Sequence, residues 1–496
     1  MTVHDIYLLS PELALVALGL AIVLLDLVVQ RKGVLGAVAL VGLVVPFALS
    51  ILLWGDVHAE PTETLSGLFG TLVVDKFALF FKFLVLGIVA LLVLASTDYV
   101  SKLSRSQGEY YALILLSATG MMLLAATTDL IAIYVALELA SLPVAALIAM
   151  LHTDPRSPEA GIKFLLLSAM SSAILLYGMA FIYGFTGSTK LPVIAHLISS
   201  TATPGVPLGA YPVLLGVVLV VAGFGFKLSA APFHMWTPDV YEGAPTPITA
   251  FLSVASKAAA FAVTLRVFYV AFEGVSLDWA LLFAALSALS MTVGNVVAIA
   301  QSNIKRLLGY STIAHAGYML VGVAAIAARA PAGDGSLGPQ GVLFYLGAYA
   351  ATNLAAFFAV IAVCNKIGSE RIEDFAGMAR RAPWLAGVLA FALVSLTGIP
   401  PTAGFMGKLF LFSAAVDTGL LWLAVVGVVN SVVSAYYYLR VVKVMYLQPP
   451  PSEEQVPSSV PFRAALAVAA IGVLVLGVLP GPLLDVARAA VATIVP

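Results

Sequence analysis

Five ionisable side chains inside long apolar runs of this 496-residue chain are the candidates for chemistry. Glu138 lies in DLIAIYVALELASLPVAAL, about nine residues or roughly 14 Å of helix past Asp129. Lys227 lies in VVAGFGFKLSAAPFHMW, Lys257 in PITAFLSVASKAAAFAV and Lys408 in LTGIPPTAGFMGKLF. His315 lies in GYSTIAHAGYML and is the one histidine at membrane depth between Lys257 and Lys408. An ionisable group near the centre of a bilayer costs about 2.5 kcal/mol or more, so each needs a reason. Desolvation disfavours the charged form of a lysine, and a nearby carboxylate restores it. A buried lysine whose carboxylate partner moves is therefore a proton-loading site. A row of them joined by water is a proton relay.

Blander roles compete with this one. A lysine near a helix end reaches the interface by extending its stem. Lys227 and Lys257 sit deep for that, whereas the depth of Lys408 depends on where its helix breaks. Glu138 has a structural alternative in a hydrogen bond to Ser141 or a neighbouring helix, and His315 in a hydrogen-bonded core. Arg306, beside Lys305 at one end of its run, reads as a topology anchor.

The runs that carry these groups are broken. Residues 383–416 would form a helix of roughly 50 Å, against about 30 Å of hydrocarbon. Pro400 and Pro401 interrupt it, with Gly398, Gly404 and Gly407 around them. The run 212–241 is interrupted at SAAP, where Pro232 stands. The prolines are expected to open each helix, and the glycines to admit water and close backbone packing.

These groups sit in a chain that is 61% hydrophobic and 10% charged, where a soluble domain carries about a quarter charged residues. The composition is that of a polytopic membrane protein. A net charge of −1 gives no basic surface for nucleic acid. The single cysteine, Cys364, excludes an intrachain disulfide and a cysteine-held cluster. The six histidines show no metal-ligand spacing, so no metal site is predicted. Walker, dinucleotide and nucleophile-elbow motifs are absent. The run 8–29 is long enough to span and reads as a retained first span.

Apolar runs predict an all-α protein of about fourteen transmembrane helices, near 8–29, 34–54, 73–96, 110–126, 129–151, 161–186, 212–241, 247–271, 279–300, 304–328, 340–364, 383–415, 418–446 and 462–494. The last is either one tilted helix or a helix with an interfacial tail. The breaks fall in spans 7 and 12, five apart. Related breaks in two halves of a chain point to inverted repeats with sites at the breaks. The division is residues 1–100 for spans 1–3, 110–272 for a first five-helix repeat (spans 4–8), 277–447 for a second (spans 9–13), and 448–496 for a loop and span 14. Alternate loops collect Arg31, Lys32, Lys102, Arg105, Arg156, Lys163, Lys305, Arg306, Lys366, Arg371, Arg380, Arg381, Arg440, Lys443 and Arg463, while the opposite set holds few. By the positive-inside rule the first set is cytoplasmic, and both termini lie on the outer side of a bacterial inner membrane. The loop 55–72, with Asp56, Glu60 and Glu63, then lies outside.

The stretches EAGIKFLLLSAMSSAILLYGMAFIYGFTGST (159–189), PFHMWTPDVYEGAPTPITAFLSVASKAA (232–259), NIKRLLGYSTIAHAGYML (303–320) and LTGIPPTAGFMGKL (396–409) carry a resemblance. The chain resembles the antiporter-like membrane subunits of respiratory complex I and of multisubunit cation/proton antiporters, over about 70–447. The resemblance implies that Glu138 and Lys227 are the paired glutamate and lysine of helices 5 and 7. It makes Lys257 the central lysine of helix 8 and Lys408 the terminal lysine of helix 12. Lys305 and His315 fall in the helix-10 region that links two half-channels. A lysine at 408 speaks against the branch with a glutamate there, and the short tail after Arg440 speaks against the branch with a long lateral helix. The N-terminal 70 residues match less well.

The resemblance thus implies a proton-translocating subunit of a respiratory NADH:quinone oxidoreductase, a translocase with no redox site of its own. FMN, iron–sulfur clusters, NADH and quinone are expected on partner subunits. M-like and K-like membrane neighbours, and through them the peripheral redox arm, are the expected partners. The alternatives are a subunit of a cation/proton antiporter or membrane-bound hydrogenase, and a scaffold whose charges only hold helices together.

Overall fold

The computed structural model describes every residue except 1, 31, 58–64, 104–105, 202–210, 327–335, 451–453, 457–458 and 496. Of the residues used above for topology, Arg31, Arg105, Glu60 and Glu63 lie outside the described residues.

Among the described residues, twelve helices are long and apolar enough to cross a membrane. They are Ser10–Val28 (span 1), Gly33–Asp56 (2), Lys76–Leu103 (3), Gln107–Ala126 (4), Leu130–Ile148 (5), Arg156–Thr186 (6), Thr246–Val270 (8), Trp279–Ala298 (9), Ile304–Ala324 (10), Leu337–Ile367 (11), Leu421–Leu447 (13) and Val460–Val478 (14). Two more crossings are each made of two helices. Span 7 joins Tyr211–Leu228 to Trp236–Gly243, and span 12 joins Pro383–Thr397 to Ala403–Asp417. Fourteen spans result, with the breaks in the seventh and twelfth as the sequence predicts.

Local chemistry sets the ends. Asp75, Asp129 and Asn303 each accept backbone N–H bonds in the first turn of spans 3, 5 and 10. Gly187 and Gly368 take positive φ (66° and 73°) and close spans 6 and 11. Span 14 stops before Pro480, and a separate helix, Gly481–Val491, follows, so the run 462–494 is a helix plus a second one. Spans 8 and 10 are 94% buried over their apolar windows and form the centre, whereas spans 1, 2 and 14 are 28–33% buried and form the rim.

Two features were not legible. Residues Leu191–Thr201 form a short helix. A small antiparallel hairpin, Leu65–Gly67 with Leu72–Val74, lies in the loop after span 2. Leu72 bridges to Thr127 at the end of span 4, and Lys190 Nζ donates to Phe69 O at 2.7 Å. The hairpin thus marks one end of the molecule. The other end carries a lattice of ion pairs. Arg306 holds Asp239 (2.7 Å) and Glu242 (3.0 Å), and Lys305 holds Glu370 (2.7 Å).

Candidate functional site

The first break is built around Lys227. The first helix of span 7 ends at Leu228 because Ser229 turns to positive φ (57°). The carbonyls freed there are used again: Ser229 N–H and Trp236 Nε1 donate to Phe226 O at 3.0 and 2.9 Å, and Ala230 N–H donates to Gly225 O at 2.8 Å. Pro232 lies in this turn. Lys227 Nζ donates to Ser141 Oγ of span 5 and to Ser168 Oγ of span 6, both at 2.7 Å. The rings of Phe164 and Phe226 lie 5.7 and 5.5 Å from it.

Glu138 does not touch Lys227. Its Oε1 accepts from Ser172 Oγ at 2.5 Å, and no ion pair within 4 Å joins the two among the described residues. Ser168 and Ser172 stand one turn apart on span 6, as Glu138 and Ser141 do on span 5. The direct pair expected from the sequence is thus replaced by carboxylate and ammonium on separate hydroxyls. The alternative Glu138–Ser141 bond is not made either, since the Ser141 hydroxyl donates to Leu137 O.

Lys257 is fully buried and serves the same break from span 8. Residues Leu252–Ser256 form a π turn, and Lys257 is the next residue. Its Nζ donates to Lys227 O at 3.1 Å and to Ser229 Oγ, and lies 5.0 Å over the Trp236 ring. It supplies the donor that the end of a broken helix lacks. A cavity of about 20 Å³, lined by Ser141, Lys227, Trp236 and Ser256 among others, lies beside Lys227. That is room for about one water.

The second break is closed by Lys408 itself. Gly398 has φ +91° and ends the first helix of span 12, and Pro400 and Pro401 fill the gap before Thr402. Lys408 Nζ donates to Leu396 O (3.0 Å) and Thr397 O (2.9 Å), the unpaired carbonyls of that helix end. It lies 4.4 Å over the Tyr318 ring of span 10. The neighbouring glycines have steric reasons. A Cβ at Gly404 would lie 1.9 Å from Ser395 O, and one at Gly407 would lie 2.0 Å from Cδ2 of Tyr345. Both make room for protein atoms, so of the two expected roles close packing holds.

His315 lies between the breaks, buried on span 10. Its Nδ1 is 2.6 Å from Tyr345 Oη and its Nε2 is 3.2 Å from Tyr438 Oη. Lys305 is elsewhere. It sits in the first turn of the same span, about 15 Å of helix from His315, where it pairs with Glu370 and donates to Ala244 O at 2.8 Å. The structure therefore groups Glu138, Lys227 and Lys257 at one break, sets Lys408 at the other with His315 between, and leaves Lys305 in the ion-pair lattice.

Sequence reasoning missed two buried pairs. Glu12 and Lys82 meet at 2.8 Å between spans 1 and 3. Asp75 receives both guanidinium nitrogens of Arg266 at 2.8–2.9 Å. Lys82 and Arg266 each stand inside an apolar run as Lys257 does, and that signal could have found them. The serines gave none, since a serine in a membrane helix is unremarkable in sequence.

Comparison with known proteins agrees with this architecture. The family described as NADH:quinone oxidoreductase/Mrp antiporter, TM matches residues 127–434. NADH-quinone oxidoreductase subunit N of Dehalococcoides mccartyi is 43% identical, over 98% of this chain and 99% of its own. The subunit N of Moorella thermoacetica is 43% identical over 97% and 98%. A chain of respiratory complex I from Thermus thermophilus superposes with a TM-score of 0.78 at 35% identity, covering 96% of this chain and 98% of its own. A chain of the Mrp complex from Dietzia shares the fold, with a TM-score of 0.85 at 22% identity. The chain belongs to the NADH:quinone oxidoreductase/Mrp antiporter membrane family, and within it to the subunit N proteins of NADH-quinone oxidoreductase.

Proposed function

We propose that this chain moves protons across the bacterial inner membrane as a subunit of NADH:quinone oxidoreductase. Buried ionisable groups take up and release the protons at the two helix breaks. The observation that carries the reading is that Lys257 and Lys408 each donate to carbonyls at the end of a broken helix. A lysine placed so has its proton tied to the state of the break: the ammonium holds those acceptors by charge-assisted bonds, and the neutral amine, with two N–H groups in place of three, holds them more weakly. Glu138 and Lys227 form the loading site, held apart by serines and adjustable by hydroxyl rotation. Lys257 receives the proton through water in the cavity that Lys227 lines, His315 carries it across span 10, and Lys408 releases it.

Redox chemistry, with flavin, iron–sulfur clusters, NADH and quinone, belongs to partner subunits. M-like and K-like membrane subunits are the neighbours through which the coupling signal arrives. Residues 110–272 and 277–447 act as the two inverted units, with 1–100 and 448–496 flanking them. The hairpin end faces outward with both termini, and the ion-pair lattice faces the cytoplasm. A cysteine at Ser369 is then closed to impermeant label from outside intact cells, and labelling there reverses the orientation.

Lys257→Met in the intact complex tests the relay. Protons moved per electron should fall sharply while the complex assembles. Unchanged pumping would reduce the buried charges to helix–helix ties.

A further inference from the structure

We propose that Tyr345 is a proton-passing residue of the relay: with Tyr438 it holds His315 by both ring nitrogens and makes the imidazole a two-sided proton switch between spans 13 and 12. The inference rests on the proposed relay and adds to it a residue that is neither lysine, glutamate nor histidine.

The geometry starts from span 12. Gly407, next to Lys408, has no Cβ, and one would fall 2.0 Å from Cδ2 of Tyr345. The Tyr345 ring therefore lies flush against span 12 beside the terminal lysine. From that seat its hydroxyl reaches His315 Nδ1 at 2.6 Å, and its ring stacks on the imidazole at 23°. On the other side Tyr438 Oη lies 3.2 Å from Nε2 and is itself bonded to Ser311 Oγ. Tyr349 also packs on the imidazole, but its hydroxyl is committed to Thr312 Oγ1 at 3.0 Å.

A neutral imidazole donates from one nitrogen and accepts at the other. A hydroxyl does either. With one at each nitrogen, both tautomers of His315 are fully hydrogen-bonded, so neither is locked in. The transfer balances as follows. Nε2 takes the hydroxyl hydrogen of Tyr438, Tyr438 takes that of Ser311 Oγ, and a hydronium arriving at Ser311 restores its hydroxyl. Nδ1 gives its hydrogen to Tyr345 Oη, whose own hydrogen passes through water to a neutral Lys408. One proton crosses the ring, no charge stays on either tyrosine, and hydroxyl rotation with tautomer exchange resets the switch.

The test uses the intact complex in proteoliposomes, with proton transport and electron transfer read together. Tyr345→Phe keeps the ring in the Gly407 seat and removes only the hydroxyl. It should slow coupled proton transfer by about 10²-fold, the lower end of what a positioned proton carrier contributes. Tyr349→Phe should not. Incorporating 3-fluorotyrosine at 345 retains shape and shifts hydroxyl acidity, which a purely structural tyrosine would not register, so the rate should change. Normal pumping by Tyr345→Phe, or a rate indifferent to fluorination, overturns the proposal. His315→Asn separates the two levels. If it pumps normally, the relay through His315 is wrong. If it fails while Tyr345→Phe is normal, the relay stands and Tyr345 is packing. Should Tyr345→Phe not assemble, the fluorotyrosine series alone decides.

Discussion

Asp75→Asn should destabilise the hairpin end of the protein by about 3–5 kcal/mol, the cost of stranding one partner of a buried ion pair. Asp75 and Arg266 are 1% and 2% exposed. The guanidinium places NH1 and NH2 on the two carboxylate oxygens at 2.9 and 2.8 Å and Nε on Ala125 O at 2.7 Å. Its face lies 4.9 Å over the Phe77 ring. One fork thus joins the start of span 3, the end of span 4 and the hairpin-end half of span 8. Asparagine keeps the size of the side chain and the cap on Ala78 N–H, which Asp75 makes at 2.7 Å. The loss is then the charge and one acceptor, because the amide nitrogen faces Arg266 NH1 donor against donor. Three kcal/mol is already more than a hundredfold in an equilibrium constant. Asp75→Leu with Arg266→Met removes both charges and fills the volume, so it should recover most of the loss. Thermal unfolding of the purified complex in one detergent, read as release of this subunit, measures both variants. Asp75→Asn melting like the wild type, or the double variant melting below the single one, would refute the reasoning.

Glu138→Gln should assemble, because the amide oxygen can still accept from Ser172, yet pump poorly for want of the charge facing Lys227; Glu138→Asp should pump partially. Wild-type pumping by the glutamine variant would make the residue structural. Gly404→Ala drives a methyl into Ser395 O, a backbone atom that cannot turn aside, and should cost about 1–3 kcal/mol or more by overpacking; an unchanged melting temperature contradicts that. Asp5 accepts the Leu68 N–H at 2.7 Å, and that bond, with those from Thr2, holds its carboxyl at about 2, below the ordinary 3.8. Its folded-state value is the lower one, so its hold on the hairpin is present above pH 3.8 and lost as pH falls through about 2. Protection of the Leu68 amide, the slowing of its exchange relative to a free peptide at the same pH, should stay high at pH 4 and fall toward pH 2, and an earlier fall would assign the protection elsewhere.

The spans were legible because each needs about twenty apolar residues, and the breaks because proline cannot continue a helix. Lys227, Lys257, Lys408 and Glu138 were legible because a lone charge in an apolar run is costly. What failed was partnership. Nothing in the sequence tells a carboxylate whether its nearest donor is an ammonium on span 7 or a hydroxyl on span 6, since both are set by helix rotation. Glycines misled for the same reason: Gly407 is explained by Tyr345, sixty-two positions earlier in the chain. The hairpin was missed because strands of three residues leave too short an alternation to read.

The π turn of span 8 has a consequence in phase. An α-helix advances about 100° per residue, and a π turn accommodates one residue more than an α turn does. The stretch Thr246–Phe251 before it and the stretch carrying Lys257 and Arg266 after it are therefore clocked apart by one residue. Deleting a single residue from 252–256 would let both stretches keep their own faces while the turn relaxed to α. Inserting or deleting one anywhere later, between Lys257 and Arg266, would swing the two cations about 100° relative to each other, and no turn there can absorb it. The span thus carries its tolerance for length change on one side of the central lysine only.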